Sequence, residues 1–394
     1  MKGIHALWVS ILLLTNIPSF GQSGNKMLAL ALSNPDTVLH LNLDNIRSIP
    51  PEIGEFSNLL SLRIFFQYDS MPVLALPDEL AKCKNLQSLE INGYQIENPS
   101  VLRKLENLED LDISLSNQNQ FLEVIKLIKL KSLILGEISE IPENISELSN
   151  LEYLILEGSF QRIPKKLCVL QKLKKLSLIG NFSTLPVEVG KMKSLEHLRV
   201  ISKELNRLPA ALFKSDSLEW LIIQQGRLKT IPKKISKNNH LKYLSVTQTS
   251  LKKIPRQIKH LTQLERLNLS RNMLTRIPEE IEYCSSLKFL NLSYNQISEI
   301  PLMDMGAMEA LVFGNNQLTA LPIHLRDMTS LRYLDISANN FKLLPEILYD
   351  LAQNARIGLK ENEIPENAIS EFSQQRPDIK LLPPGFFQDI HQFW

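Results

Sequence analysis

The apolar frame L-x-x-L-x-L, or a close variant, recurs fifteen times between Val38 and Leu359. The frames begin at Val38, Leu59, Leu86, Leu108, Leu130, Leu151, Leu173, Leu195, Leu218, Leu241, Leu264, Leu287, Met308, Leu331 and Asn354. The mean step is about 22.6 residues, too short for a unit to enclose a core of its own and regular enough for neighbours to stack. Ordering about 22 residues costs on the order of 30 kcal/mol, and half-covered leucines return about half of that, so the remainder must come from stacking. The 394 residues suggest two or three domains by length alone. The repeat replaces that expectation with one solenoid.

The fullest unit runs Leu264-x-x-Leu267-x-Leu269-x-x-Asn272-x-Leu274-x-x-Ile277-Pro278-x-x-Ile281, and the string returns from Leu287 through Asn295 to Ile300-Pro301. Alternating leucines belong on a short strand, where successive side chains point to opposite faces. An asparagine at the ninth position (Asn272, Asn295, Asn316, Asn339, Asn362) can turn its carboxamide inward onto backbone groups as the chain leaves the strand, and without such partners its burial is costly. An Ile-Pro or Leu-Pro pair follows in thirteen of the fifteen frames, from Ile49-Pro50 to Ile364-Pro365. Proline suits an extended segment or a first helical turn and stops a ladder strand. The expected fold is an α/β solenoid with one curved parallel sheet on the concave face and short helical, 3-10 or extended segments on the convex face.

The half-repeats Ile231-Pro232-Lys233-Lys234-Ile235, Ile254-Pro255-Arg256-Gln257-Ile258-Lys259-His260-Leu261 and Ile277-Pro278-Glu279-Glu280-Ile281 resemble those of leucine-rich repeat proteins of the Ras-suppressor-like class, a class that also includes the repeat regions of plant disease-resistance proteins. The resemblance spans roughly residues 36 to 370. It implies a leucine-rich repeat horseshoe and a protein-binding or scaffolding role, because the matching residues are structural ones.

Residues 1–21 read as a secretory signal peptide: Met1-Lys2, an apolar stretch from Ala6 to Leu14, and small residues at Ser19 and Gly21 before Gln22. The apolar run is short for a membrane span. The protein is therefore expected to be exported, to a periplasm, a cell surface or the medium, and cytoplasmic if the leader does not function. Residues 22–37 form an N-terminal cap, with Met27 to Leu32 helical and a turn at Asn34-Pro35-Asp36. The repeats occupy 38–376, and a C-terminal cap or tail occupies 377–394. There Ile379 and Leu381 fit a last strand, while Phe386, Phe387, Ile390, Phe393 and Trp394 recur at helical spacing, suited to seal the open end of the core or to dock a partner. Three cysteines make no disulfide framework. Cys83 and Cys284 fill a slot held by Leu148, Leu170 and Leu261 in other units, whereas Cys168 falls off that register and leaves room for a partly exposed thiol.

In each frame the third, fifth and seventh residues should line the concave face, and strands about 4.8 Å apart turn equivalent positions into rows. The third row carries Tyr153, Lys175, His197, Trp220, Tyr243, Arg266, Phe289, Ala310 and Tyr333. The fifth adds Ile155, Arg199 and Ile222, and the seventh Ile179 and Ile201. Aromatic residues and arginine are the usual anchors of protein interfaces; cross-strand aromatic pairs also stabilise a sheet by themselves. The expected partner site is Tyr153, Ile155, His197, Arg199, Ile201, Trp220, Ile222, Tyr243, Arg266, Phe289 and Tyr333. Phe65, Phe66 and Tyr68, in an insertion that stretches the Leu59 unit to 27 residues, are a second contact candidate. Toward the N-terminus the fifth row turns acidic with Glu90 and Asp112 after Arg63 and beside Asp110, a set read as solvated or ion-paired because its spacing matches no metal loop. Lys165, Lys166, Lys233, Lys234, Lys252, Lys253 and Arg256 form a basic band off the concave face, but a net charge of +2 excludes a global pull toward nucleic acid or acidic membranes.

The sequence holds no P-loop, G-x-G-x-x-G, G-x-S-x-G or H-E-x-x-H string, and its seven histidines make no pair at i, i+3 or i, i+4. The expectation is a module without chemistry, cofactor or metal that binds another protein on its concave face, with no nucleic-acid or small-molecule ligand and no stable membrane insertion once the leader is removed. An intracellular signalling scaffold and a glycan-recognition module are the competing readings.

Overall fold

The computed structural model describes residues 24–67, 71–115, 118–302 and 306–383. The leader, Tyr68 and the aromatic stripe from Phe386 to Trp394 lie outside the described residues. Seventeen strands form one parallel sheet in which the repeats follow chain order. A strand begins two residues into each of the fifteen frames, from β1 (His40–Asp44) and β2 (Ser61–Phe65) to β16 (Arg356–Gly358). The other two are β3 (Val73–Leu74), from the insertion, and β17 (Lys380–Leu381) at the C-terminal edge. The insertion is absorbed by β4 (Ser88–Ile96), which pairs with β2 through Ser88 to Asn92 and with β3 through Gln95 and Ile96.

The frame leucines face away from the concave surface into one continuous core, and Leu267, Leu269 and Leu274 have no exposed area. The core is closed on its far side by five-residue 3-10 turns such as Arg256–His260 and Glu279–Tyr283. Each begins after the proline, which is extended (Pro255 φ −69, ψ 139) and accepts from the N–H of the buried isoleucine three residues on, Ile258 to Pro255 at 2.9 Å and Ile281 to Pro278 at 3.1 Å. Proline thus contributes its fixed φ and its carbonyl to a turn where its missing N–H costs nothing. The Leu108 unit, without an apolar-proline pair, instead uses the short helix α2 (Phe121–Val124) to bury Phe121 and Val124. At the ends, α1 (Gly24–Ala31) covers β1 through Leu28. The longer α3 (Glu366–Gln375) buries Phe372 with its ring edge-on to Tyr349, 5.0 Å between centroids.

From Asn272 onward the ninth-position asparagines form a ladder. Asn316 donates through Nδ2 to the carbonyls of Leu292 (3.0 Å) and Phe313 (2.9 Å) and accepts from the N–H of Ile297 at 3.0 Å. Asn295 one unit before and Asn339 and Asn362 one and two units after repeat the same three contacts. The residue before each of these asparagines is forced to positive φ whatever its side chain: Arg271 (57°), Tyr294 (54°), Asn315 (59°), Ala338 (49°) and Glu361 (63°). That conformation costs an ordinary L-residue on the order of 1 kcal/mol, and the ladder repays it.

Cys83 and Cys284 are buried as expected, their thiols 3.2 and 3.3 Å from the carbonyls of Ile53 and Ile258. Cys168 corrects the expectation of a partly exposed thiol. It is 3% exposed, because the 3-10 turn Lys165–Val169 buries two successive residues, Leu167 and Cys168, and turns out Val169 instead. Burial pushes the Cys83 thiol up to about 11 and those of Cys168 and Cys284 up to about 12, which leaves all three as inert thiols.

Candidate functional site

Strand register aligns the third-position row residue for residue: Tyr153 opposite Lys175, then His197, Trp220, Tyr243, Arg266, Phe289, Ala310, Tyr333 and Arg356. The strands carrying its first half are β7 (Tyr153–Gly158), β8 (Lys175–Ile179), β9 (His197–Ile201), β10 (Trp220–Gln224) and β11 (Tyr243–Thr247). His197 stacks on Trp220 at 5.4 Å and 23°, and Trp220 leans on Tyr243 at 4.9 Å and 46°. The three rings are half-buried, so they form a continuous wall that both stiffens the sheet and offers a face to a ligand. Burial pushes the Tyr243 hydroxyl above its ordinary range and, with Lys175 nearby, holds His197 below its own.

Tyr153, Ile155, Arg199, Ile222, Arg266 and Tyr333 are half-exposed on the same face, while Ile201 and Phe289 are buried. Phe289 joins Ala310, Val312 and Leu382 in a small apolar cluster with Tyr333 packed against it, separate from the main core. In the secondary candidate, Phe65 is exposed but Phe66 packs on Tyr94 at 5.1 Å. The basic band lies on the 3-10 turns except for Lys252 and Lys253, which precede the proline, and two of its members meet acids of the next unit: Lys165 with Glu188 at 3.6 Å and Arg256 with Glu280 at 3.5 Å.

The fifth-position row reads Arg63, Glu90, Asp112, Ile134, Ile155, Ser177, Arg199, Ile222 across β2, β4, β5 (Asp110–Leu115), β6 (Ser132–Ile138) and β7 to β10. Arg63 pairs with Glu90 at 3.2 Å, and Asn92 donates to Glu90 at 2.6 Å. Asp112 makes no ion pair among the described residues. Its carboxyl is pushed up to about 7 by burial first and by the Glu90 charge second, against weaker help from Asn92 and Arg63. Glu90 is ion-paired and Asp110 exposed, as expected, whereas Asp112 departs from the reading of solvated or paired acids: the Arg63 guanidinium is spent on Glu90, and the apolar Ile134 stands on the other side.

Asp112 should therefore lower stability as pH rises. Folding holds a proton on this acid that the unfolded chain releases near 4, so the penalty begins near pH 4, grows as pH rises toward 7 and is constant above. Because the side chain is half-exposed, screening reduces the effect to about 1 kcal/mol between pH 5 and 8. Asp112→Asn is expected to raise the melting temperature more at pH 8 than at pH 5; equal gains at both would show that Asp112 is ionised throughout.

A second feature was not read from the sequence. From Glu109 to Arg332 the second residue of successive frames alternates in charge except at Glu196 and Glu219, and neighbours pair along the sheet edge: Lys131 with Glu109 and Lys174 with Glu152, both at 2.7 Å, and Lys242 with Glu219 at 3.0 Å. The signal was present as a charge alternation at the repeat period. These pairs are exposed and each contributes at most about 1 kcal/mol.

Residues 224–344 match a model of a leucine-rich repeat region. The chain is a leucine-rich repeat solenoid. A leucine-rich repeat protein of Leptospira interrogans is similar over 90% of this chain and 98% of its own, with 24% identity and a TM-score of 0.75. An internalin of Listeria monocytogenes is similar over 80% of this chain and 88% of its own, at 19% identity and a TM-score of 0.59. The leucine-rich repeat ectodomain of a membrane receptor kinase of Arabidopsis thaliana, solved in complex with Casparian strip integrity factor 2, is similar over 86% of this chain and 51% of its own, at 19% identity and a TM-score of 0.56. Comparison with curated proteins finds no match. The leucine-rich repeat expectation holds, while the match to a general repeat region does not single out the Ras-suppressor-like class. Among the described residues no helix is long and apolar enough to cross a membrane, and no three His, Cys, Asp or Glu side chains are placed to hold a metal ion.

Proposed function

We propose that this leucine-rich repeat solenoid is a non-catalytic recognition module of an exported protein and that it binds a protein ligand on its concave face. The observation that carries this reading is the half-exposed wall of His197, Trp220 and Tyr243 beside Arg199, an aromatic and arginine surface aligned by strand register on the concave face. Such surfaces supply most of the energy of protein interfaces. Solvent-facing rows on rigid strands also hold their side chains at little entropic cost on binding. The receptor ectodomain named above was solved in complex with Casparian strip integrity factor 2, which supports the use of this fold in recognition.

The test compares capture of partners from the native envelope fraction by wild type and by a Trp220→Ala, Tyr243→Ala variant. The variant should lose capture by tenfold or more and about 2 kcal/mol of stability, since each ring loses a stacked neighbour. Capture unchanged in a folded variant would move the site off this face. Mature protein beginning at Gln22 would support export; a chain retaining Met1 in the cytoplasm would instead favour the scaffold reading.

A further inference from the structure

The concave fifth row carries acids at one end, where Glu90 is paired with Arg63, and a cation at the other, and a ligand cation placed on the acids draws the proton off Asp112. At one end stands Asp112, next to Glu90 and without an ion pair among the described residues. Four strands on stands Arg199, whose guanidinium makes neither an ion pair nor a hydrogen bond among the described residues. Burial holds it below its ordinary range, and Glu157, one row over, acts on it only at a distance. Between them the floor is Ile134, Ile155 and Ser177. Ser177 is 8% exposed, and its hydroxyl oxygen has no hydrogen-bond partner among the described residues. An unpaired buried hydroxyl and an unpaired half-buried cation on adjacent strands are each costly when left alone. A carboxylate bound at Arg199 satisfies the cation and brings acceptors beside the Ser177 hydroxyl.

Four strand spacings of about 4.8 Å place the two charges roughly 19 Å apart, and an extended chain at about 3.3 Å per residue covers that distance in about six residues. We propose, building on the concave-face reading above, that the stretch from Asp112 to Arg199 takes an extended polypeptide segment with a Lys or Arg side chain at Asp112 and Glu90 and a carboxylate about six residues away at Arg199. The residues between alternate, with apolar side chains down onto Ile134 and Ile155. Opposite charges at the two ends set the direction of the bound segment and reject a reversed one, because reversal puts like charges together at both ends. A neutral glycan gains nothing from either end, and a polyanion is repelled by Glu90 and Asp112.

A displayed library of random twelve-residue peptides, selected on the full chain, tests this. Wild type should enrich peptides with a cation and an anion five to seven residues apart. Arg199→Glu should change the selected anion to a cation while keeping the first cation. Synthetic copies of the enriched peptides should bind Arg199→Gln and Asp112→Asn at least tenfold more weakly, with melting curves confirming that both variants are folded. Copies with a free or an amidated C-terminus decide whether the carboxylate is a side chain or a chain end; either source fits. Peptides that bind, depend on Trp220 and Tyr243 and show no charge spacing would overturn this proposal and leave the concave-face reading standing. No enrichment, or binding indifferent to every concave variant, would overturn both.

Discussion

Asn316→Ala is expected to cost about 3 to 5 kcal/mol, among the largest losses from a single side chain outside the apolar core. The carboxamide makes one hydrogen bond to a buried N–H and two to carbonyls of consecutive units. The consequences differ by partner. The carbonyl of Leu292 also accepts from Asn295, and that of Phe313 from Asn339, so each keeps a donor when Asn316 is removed. The N–H of Ile297, a residue with no exposed area, keeps none. Two lost bonds at about 1 kcal/mol each and one orphaned buried donor at about 1 to 3 kcal/mol give the total. Asn316→Asp should be comparably damaging at neutral pH, since it retains the acceptor but turns a charge onto two carbonyls, and should recover partly in acid as the carboxyl protonates. Denaturant titration measures both. A loss under 1 kcal/mol for the alanine variant would show that the unit relaxes around the gap.

Asn181 is the control that fixes the reason. It also stands ninth in its frame, counted from Leu173, yet it is exposed and its side chain makes no hydrogen bond among the described residues. The unit it belongs to is one residue shorter than the unit from Leu264, and its next core side chain comes at the tenth position, Phe182, stacked on Phe160 at 5.6 Å and 8°. In the longer unit that side chain comes eleventh, as Leu274. Moving the inward residue by one turns its neighbour outward, the same logic that makes a one-residue slip reverse the faces of a strand. Asn181→Ala should therefore change stability by less than about 0.5 kcal/mol.

The fold was legible in the sequence because the repeat states each requirement many times. Leucine spacing placed a short strand in every unit, and the apolar-proline pair marked where the convex segment begins, which in eleven units is a five-residue 3-10 turn among the described residues. What escaped it was pairing. Trp220 and Tyr243 could be placed on one row from spacing, but whether Phe289 stays open depended on the small cluster it makes with Ala310, Val312 and Leu382. Likewise Asp112 and Arg63 look like ion-pair candidates in a string of letters. Only geometry shows that Arg63 reaches Glu90 and that Arg199, four strands beyond Asp112, forms no ion pair among the described residues. Side-chain reach across strands is set by rotamer and neighbour size, neither of which has the period of the repeat.

Asn238→Leu is expected to stabilise the protein by about 2 to 4 kcal/mol. Asn238 occupies the core slot three residues before the Leu241 frame, which Leu148, Leu170 and Leu261 fill in other units. It has no exposed area, and neither its amide nitrogen nor its carbonyl oxygen finds a hydrogen-bond partner among the described residues. Each orphaned group carries a desolvation penalty of about 1 to 3 kcal/mol, and an apolar replacement removes both. Leucine is the larger side chain, but the preceding unit offers Ser215 at the same slot, a small neighbour, and Leu261 shows that the next unit already accommodates leucine there. Asn238→Val separates the two effects: it removes the orphaned groups without added length, so a gain for valine and a loss for leucine would identify crowding, whereas a loss for both in thermal melts would mean that the carboxamide is satisfied in solution, by a buried water or a shifted backbone.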